Sequence, residues 1–287
     1  MINIYLLGKK GFLSLKSINT NFLELINYVI IGKDYNVVND YSNSIIDYCI
    51  ENNINYLVQN KTNDNSSVKY SIAIGWRWLI KDESKLIVFH DSVLPKLRGF
   101  NPLVTSLING YNEIGVTVLY GTEDFDRGEI IIQKKINIAY PLKIKEAIDS
   151  VSLLYGQAID QLLNRLKYGT LSSIPQDELL ATYSLWRDDE DYTIDWSKSA
   201  SYIKRFIDAV GYPYKGAFTT WNSSKYYIKE SFIVDDVVIE NRTPGKVLFK
   251  KENMFFIVCG IGLLCVENFF NEDGQNININ NFRIRFK

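Results

Sequence analysis

The feature that most constrains the fold is an alternation of short apolar runs and helical periodicity through the first half of the chain. Apolar runs of strand length occur at Ile2 to Leu7, Tyr28 to Ile31, Tyr56 to Val58, Tyr70 to Gly75 and Lys85 to Phe89. Segments with helical spacing separate several of them, which predicts a Rossmann-like α/β fold with a mainly parallel sheet. Ligands of such sheets bind beyond the carboxyl ends of the strands.

The first strand leads into Gly8-Lys9-Lys10-Gly11, which predicts a glycine-bounded turn before a helix. The segment lacks both the dinucleotide fingerprint and the phosphate-binding P-loop pattern. Lys9 and Lys10 are placed to meet a phosphate of a substrate, although loop lysines are also commonly just solvated. A second helix is predicted over Ser42 to Asn52, and the Asn- and Ser-rich stretch from Asn60 to Ser67 reads as a surface loop.

The second half of the chain predicts a different architecture. Apolar spacing from Ile144 to Tyr168 predicts a long amphipathic helix that ends at Gly169. Apolar and polar residues alternate from Phe218 to Phe286, which predicts a small antiparallel β-barrel of OB-like type, with an exposed edge at Asn276 to Asn281. We therefore predict a catalytic domain over residues 1–180, a linker and helix over 181–210, and a C-terminal barrel over 211–287.

Composition narrows the class of protein without naming a function. Of the 287 residues 46% are hydrophobic and 23% are charged, and the net charge is -1. These values are ordinary for a globular protein and give no electrostatic reason to expect nucleic acid or an anionic membrane as a partner. The three cysteines lack metal-ligand spacing, so we expect no metal, reduced core thiols and a cytoplasmic location; no run is long enough to span a bilayer.

His90 is the only histidine of the protein and lies in the run F-H-D-S-V-L-P-K-L-R-G, where an apolar strand becomes a polar loop. Imidazole titrates nearest neutrality, so His90 is the one ordinary candidate for proton transfer. Asp126 lies in the polar loop after the predicted strand Gly115 to Leu119 and is expected to face the same space. A carboxylate there would orient an imidazole, although an aspartate in a D-x-G turn is also a common turn former.

Three motifs in order resemble the formyl-tetrahydrofolate-dependent formyltransferases. They are H-D-S-V-L-P-K-L-R-G-F-N-P, then L-I-N-G-Y-N-E-I-G-V-T, then D-F-D-R-G-E-I-I-I-Q. The segments A-T-Y, I-D-W and G-Y-P-Y-K-G-A are similar to that family's linker and C-terminal elements, so the resemblance covers most of the chain. It implies the formyltransferase fold and formyl-tetrahydrofolate as co-substrate.

The resemblance also implies roles for individual residues. An amine would attack the formyl carbon through a tetrahedral intermediate, with His90 taking up developing charge or a proton and Asp126 holding His90 and the amine or a relay water. The pterin would lie near two groups of residues, which are Trp76, Trp78 and Ile80 in one segment and Glu123, Asp124 and Phe125 in the other.

One position departs from the family pattern. The family has Asn two residues before the histidine, where its amide stabilises the oxyanion, but this chain has Val88. Losing such a donor costs on the order of 3 kcal/mol of transition-state stabilisation. The candidate replacements, in order, are Arg77, Asn101, Ser92 and a backbone N–H. Arg77 lies between two tryptophans, which is equally typical of aromatic packing around an arginine, and Arg98 in the same loop is assigned to loop pinning or substrate binding.

The resemblance alone does not decide which molecule carries the acceptor amine, because branches of the family differ in this respect. From Ser201 to Lys287 there are 12 Lys and Arg against 9 Asp and Glu, which is a weak charge for binding tRNA. We therefore expect a nucleotide-linked amino sugar, used for O-antigen, lipopolysaccharide or other bacterial surface glycan, with no nucleic acid or membrane partner and a homodimer as a compatible state. Its base and pyrophosphate would meet Tyr212, Tyr214 and Lys215. The alternatives are a methionyl-tRNA formyltransferase and, because of Val88, a non-catalytic relative that binds folate or a nucleotide sugar.

Overall fold

The computed structural model describes residues 1–35, 37, 39–58, 68–80 and 85–287. The predicted loop from Asn60 to Ser67 lies outside these residues. The described chain forms two compact units. The domain boundaries predicted at residues 180 and 210 stay a prediction. The first unit comprises Met1–Leu103, Glu113–Asn137 and Ala147–Leu185, and the second comprises Val104–Asn112, Ile138–Glu146 and Trp186–Lys287.

The strands and helices are named in chain order. The strands are β1 (Ile2–Leu6), β2 (Ile26–Ile31), β3 (Tyr56–Val58), β4 (Tyr70–Ile74), β5 (Lys85–His90), β6 (Arg98–Gly99), β7 (Glu113–Tyr120), β8 (Ile130–Asn137), β9 (Tyr183–Ser184), β10 (Ala217–Trp221), β11 (Ser224–Ile228), β12 (Phe232–Val234), β13 (Val247–Lys251), β14 (Met254–Val258), β15 (Leu263–Val266), β16 (Phe269–Phe270) and β17 (Asn276–Ile277). The helices are α1 (Gly8–Lys16), α2 (Ser42–Glu51), α3 (Pro102–Ile108), α4 (Ile144–Tyr168) and α5 (Ala200–Val210).

A seven-stranded sheet lies in the first unit, in the order β3-β2-β1-β4-β5-β7-β8. Strands β1 to β5 pair in parallel, whereas β7 runs antiparallel to both β5 and β8. The central strands are apolar on both faces, as in Ile4, Ile30 and Ile72, because helices cover parallel sheets on both sides. The predicted mainly parallel sheet is confirmed, and the antiparallel pair forms one edge of it.

The helix after β1 begins earlier than the sequence predicts. Gly8 to Gly11 form the first turn of α1 rather than a separate turn, and the helix ends at Lys16. A β-carbon on Gly11 would lie 3.1 Å from the Leu6 β-carbon, so the glycine lets the helix pack closely on the strand that precedes it. The predicted helix over Ile144 to Tyr168 is confirmed as α4, with a left-handed Gly169 after its last turn.

Two antiparallel four-stranded sheets follow α5 in the second unit, which confirms the predicted antiparallel character of this region. Their orders are β10-β11-β16-β17 and β12-β15-β14-β13. Asn276 and Ile277 form the edge strand β17, at the start of the predicted polar edge. Trp196, from the I-D-W segment, is buried in this unit and donates its indole N–H to the Thr219 hydroxyl at 2.9 Å.

The cysteines are buried and free, as the sequence predicts. Burial raises the pKa of the Cys49 thiol to about 12, and it does the same for Cys259. Across the described part of the chain, no helix combines the length and apolar character needed to cross a bilayer. The same residues contain no cluster of His, Cys, Asp and Glu suited to holding a metal ion.

Candidate active site

His90 is the last residue of β5 and is buried, with Thr117 of β7 as its neighbour across the strands. Its Nε2 atom lies 2.8 Å from the carbonyl oxygen of Leu97. A carbonyl oxygen only accepts hydrogen bonds, so Nε2 is the ring nitrogen that carries hydrogen in this contact. The other nitrogen, Nδ1, is therefore the one with which His90 can exchange a proton.

Asp126 lies opposite that nitrogen, so the structure brings the two predicted residues together. Its Oδ1 atom is 3.4 Å from Nδ1 of His90, and its Oδ2 atom accepts a 2.8 Å hydrogen bond from the Gly99 N–H. The aspartate has a left-handed backbone with φ of 58°. Such a conformation is costly for a residue with a side chain, and strained residues of this kind cluster at functional sites.

Two further motif residues hold the loop that follows His90. The Thr117 hydroxyl donates to the Ser92 carbonyl at 2.7 Å and accepts from the Leu94 N–H at 3.1 Å. The Gln133 amide donates to the Leu94 carbonyl and to the Thr117 hydroxyl, both at 2.9 Å. The threonine of G-V-T and the glutamine that ends D-x-G-x-I-x-x-Q therefore fix the backbone of the histidine loop.

Residues 174–184, which we name the clamp segment, contact both the His90 loop and the Asp126 loop. Ile174 exchanges two backbone hydrogen bonds with Ile130, and Thr182 accepts hydrogen bonds from the N–H groups of Leu97 and Arg98. The linker predicted from residue 181 overlaps the end of this segment, and nothing in the sequence indicated these contacts. A short polar segment with a single proline carries no signal of which distant loops it will contact.

Arg98 is not available to a substrate, which corrects one predicted role. Its side chain is 0% exposed and donates to Gln176 and, through two nitrogens at 2.8 Å each, to the Glu178 carboxylate. The hydrogen bonds to Glu178 raise the pKa of Arg98 more than its burial lowers it. Arg98 does pin the loop, but through side chains of the clamp segment rather than through backbone carbonyls.

The two lysines of α1 are paired with protein carboxylates, and their predicted contacts with a substrate phosphate stay a prediction. Lys9 pairs with Asp149 of α4, and Lys10 pairs with Asp91, the residue after His90. Tyr155 of α4 donates its hydroxyl to the other Asp91 oxygen at 2.5 Å. Burial raises the pKa of Asp91, but the Lys10 charge and the hydrogen bonds from Lys10 and Tyr155 outweigh it and lower that pKa overall.

Ser92 is likewise directed inward. The residue is buried, and its hydroxyl donates to the Lys96 carbonyl at 2.7 Å, so it stabilises the loop instead of contacting a substrate or an oxyanion. Val88 lies two residues before His90 on β5 and therefore projects from the same face of the sheet. An amide at position 88 would be on the side of the reacting groups, and valine leaves that place without a donor.

The tryptophan segment after β4 forms an aromatic group. The Trp76 ring is 5.1 Å from Tyr5 and 4.9 Å from Trp78, both edge-on. A β-carbon on Gly32 would come within 2.7 Å of Trp78 and 3.0 Å of Trp76, so the glycine makes room for the pair. Among the described residues, no acceptor reaches the buried Trp76 indole N–H. Ile80 ends this described segment, partly exposed.

Arg77 points to a neighbouring carboxylate. Its guanidinium lies 2.6 Å from Asp34 and over the Trp78 ring at 5.6 Å. The contact with the Trp78 ring agrees with the alternative prediction of aromatic packing around Arg77. The predicted role of Arg77 as an oxyanion donor stays a prediction. Asn101, the next candidate, is exposed and adopts a left-handed φ of 49° two residues after Gly99.

The remaining predicted ligand residues are exposed, except for the half-buried Tyr214. Phe125 lies beside Asp126 with its ring 6.2 Å from Phe100, Asp124 pairs with Arg127 at 3.3 Å, and Glu123 precedes them in the same loop. In the second unit, Lys215 is paired with Asp189 at 2.6 Å, while Tyr212 is exposed and Tyr214 lies in the adjoining turn. Roles for these residues stay predictions.

Comparisons with known proteins agree with this arrangement. The family model described as formyl transferase matches residues 51–158, and the model described as formyl transferase, C-terminal domain, matches residues 187–287. The methionyl-tRNA formyltransferase of Geobacter metallireducens is 30% identical over 196 residues, which are 68% of this chain and 61% of that protein. The chain therefore spans less than two thirds of the length of this relative.

Solved structures share the fold over nearly the whole chain. The N-formyltransferase of Helicobacter canadensis, solved with folinic acid and dTDP-3-aminofucose, has a TM-score of 0.73 at 19% identity and covers 94% of this chain and 99% of its own. A sugar 3N-formyl transferase solved with dTDP and 5-N-formyl-THF has a TM-score of 0.70 at 20% identity and covers 97% and 98%. Because both the N-terminal and the C-terminal family models match, and the histidine and aspartate of the motifs meet in one site, the chain belongs to the formyl transferase family.

Proposed function

We propose that this protein transfers the formyl group of formyl-tetrahydrofolate to the amine of a nucleotide-linked amino sugar. The observation that best supports this reaction is that His90 Nδ1 faces Asp126 Oδ1 at 3.4 Å. The loop after His90 is held by hydrogen bonds from Thr117 and Gln133 of the motifs. The product would be a formamido sugar on a nucleotide, suited to O-antigen or other surface glycan synthesis.

The folate is expected at the aromatic group after β4. The buried Trp76 indole N–H has no acceptor among the described residues, so an acceptor atom of a bound planar ring would satisfy it. Trp78, which is partly exposed, offers a face for stacking. These two features fit a pterin. The bound co-substrate supplies the formyl carbon, and the residues of this chain orient the amine and handle its protons.

Proton transfer would run through the pair of site residues. Attack forms an N–C bond from the sugar amine and breaks the bond from the formyl carbon to the folate nitrogen, so one proton leaves the amine and one is needed by the folate nitrogen. Asp126, as a carboxylate, would take the amine proton directly or through a water and pass it to Nδ1 of His90, which would deliver it to the folate nitrogen as that nitrogen leaves. The Nε2 hydrogen stays on the Leu97 carbonyl and keeps the ring oriented.

The choice of acceptor is supported by fold and by charge. Two structures that match almost the whole chain are those of sugar formyltransferases. In the C-terminal unit, several cations are neutralised by adjacent carboxylates, which are the pairs Lys204–Asp208, Lys215–Asp189, Lys225–Glu272 and Arg242–Asp236. A surface that binds the phosphates of tRNA needs cations that are free to meet them.

Methionyl-tRNA is the second candidate acceptor, because a methionyl-tRNA formyltransferase is 30% identical over 68% of this chain. The deciding experiment offers the protein formyl-tetrahydrofolate with either nucleotide-linked 3-amino and 4-amino sugars or charged initiator tRNA. We expect a mass gain of about 28 daltons, one C=O, on an amino sugar, and its loss in Asp126→Asn. Formylation of the tRNA with no product on any amino sugar would replace the proposed acceptor.

A further inference from the structure

Gln176 of the clamp segment contacts the aspartate loop directly. Its Nε2 atom donates two hydrogen bonds, to the carbonyl of Asp126 at 2.7 Å and to the carbonyl of Gly128 at 2.8 Å. These carbonyls flank the turn in which Asp126 adopts its left-handed backbone. The amide therefore holds the backbone of the residue whose carboxylate faces His90.

The other end of the same amide is tied to the histidine loop. Its Oε1 atom accepts hydrogen bonds from Arg98, from Nε at 3.2 Å and from Nη2 at 2.9 Å. Arg98 is fully buried and follows Leu97, the residue whose carbonyl fixes the His90 ring. With two donated and two accepted bonds, the amide uses its full hydrogen-bonding capacity. Only a side chain with both donors and an acceptor can connect two carbonyls to a guanidinium in this way.

We propose that Gln176 is a positioning residue that sets the distance between Asp126 and His90. It acts by holding the Asp126 turn and coupling that turn, through Arg98, to the loop that orients the His90 ring. Small displacements of reacting groups cost large factors in rate, so a residue that fixes the pair contributes to turnover without touching the substrate. The effect on turnover rests on the proposed function, whereas the effect on the geometry of the pair does not.

The test compares Gln176→Glu with Glu178→Gln. Gln176→Glu keeps the shape and the acceptor for Arg98 but removes both donors and sets a carboxylate against two carbonyl oxygens. Glu178 is the other partner of Arg98 in the same segment, and its side chain is 58% exposed. Glu178→Gln alters this partner without changing a residue that bonds to the Asp126 turn. We expect Gln176→Glu to lower kcat about 10- to 100-fold with KM for the folate within about threefold, and Glu178→Gln to stay within about threefold in both.

The geometry has its own readout because His90 is the only histidine of the chain. In an untagged protein with 15N-labelled histidine, every imidazole NMR signal comes from His90. The change in these signals caused by Asp126→Asn, which removes the carboxylate, is the reference change. We expect Gln176→Glu to produce more than half of that change at the same pH, and Glu178→Gln less than half. Gln176→Met, which is neutral and of similar length, replaces Gln176→Glu if the latter does not fold.

The outcomes separate the two proposals. If the wild-type protein formylates no acceptor, the proposed function fails, but the His90 signals still test the role of Gln176. If Gln176→Glu or Gln176→Met leaves the His90 signals within half of the reference change, or if their kcat matches that of Glu178→Gln, Gln176 is a structural residue only and the inference is overturned.

Discussion

The Nδ1 atom of His90 faces the Oδ1 atom of Asp126 at 3.4 Å, while the opposite ring nitrogen is fixed on a backbone carbonyl. The imidazole therefore has one nitrogen held by the backbone and one that faces the aspartate. This division is typical of a histidine that must present the same face to each substrate, because rotation of the ring would break the contact with Leu97.

Replacement of Asp126 by Asn should abolish most of the activity. An amide has nearly the shape of the carboxylate but cannot take up the proton of the amine, so we expect kcat to fall about 10²- to 10⁴-fold with little change in the folded state. Initial rates with saturating folate measure the effect. Glu113→Gln, on a partly exposed position of β7 paired with Lys135, is the matched control and should keep wild-type rates. Retained turnover in Asp126→Asn would remove Asp126 from proton transfer.

Gly128→Ala should destabilise the aspartate loop. A β-carbon at Gly128 would lie 1.7 Å from the Tyr120 carbonyl oxygen, a contact that only a backbone shift relieves. At Gly169 the same substitution meets no atom within 4 Å and faces only the strain of a φ of 66°. We expect Gly128→Ala to lower the free energy of unfolding by several kcal/mol and Gly169→Ala by about 1 kcal/mol. Urea unfolding measures both, and equal losses would contradict the steric argument.

Lys10→Met should be costly because it leaves the Asp91 carboxylate buried without its cation. Breaking a largely buried pair costs about 3 kcal/mol, whereas Lys198→Met, in the exposed pair with Asp195, should cost under about 1 kcal/mol. Since the folded-state pKa of Asp91 is lowered below its usual 3.8, its stabilising contribution is present at neutral pH and is lost as pH falls below about 4.

The acid dependence provides the check on Lys10. Thermal unfolding at pH 7 and at pH about 3 should show a large difference in Tm between wild type and Lys10→Met at the higher pH and a smaller one at the lower pH. For Lys198→Met the difference should be small at both. A Lys10→Met deficit that does not shrink in acid would mean that packing of the lysine stem, rather than its charge, stabilises this region.

Asn101→Ala should slow turnover more than Arg77→Ala. The Arg77 guanidinium is held by Asp34 and lies over Trp78, while Asn101 is exposed near the Gly99 contact with Asp126. If Asn101 supplies the donor that Val88 lacks, its loss should lower kcat about 10- to 100-fold with KM nearly unchanged. Steady-state kinetics of the two variants decide, and a larger loss in Arg77→Ala would return the role to the arginine.

The sequence predicts the part of the site that motif order defines. His90 ends β5, whereas Asp126 follows β7, which runs antiparallel to β5 and ends opposite Ile87, so strand ends alone do not bring the two residues together. The order of the motifs carried that prediction, and Thr117 and Gln133 lie in the same motifs. The periodicity of apolar residues also predicts where the helices and strands lie in both halves of the chain. The main error is the start of α1, which begins at Gly8 rather than after a separate turn.

The partners of the charged residues could not be predicted. Whether Lys10 meets a phosphate or Asp91, and whether Arg98 meets a substrate or Glu178, depends on which distant segments the fold brings beside them. Local sequence gives the charge of a loop residue but not its neighbour. For the same reason, the apolar spacing that predicts the helix from Ile144 to Tyr168 gave no sign that Tyr155 of this helix donates a hydrogen bond to Asp91.

The clamp segment also bears on how small an active fragment can be. The N-terminal family model ends at residue 158, and the central sheet is complete by Asn137. A polypeptide cut after α4 would keep His90 on β5 and the loop between β7 and β8 that carries Asp126, yet it would lack Ile174, Gln176 and Thr182. We therefore expect that a fragment which keeps the His90–Asp126 geometry must extend at least to Ser184, the last residue of the clamp segment that contacts the histidine loop.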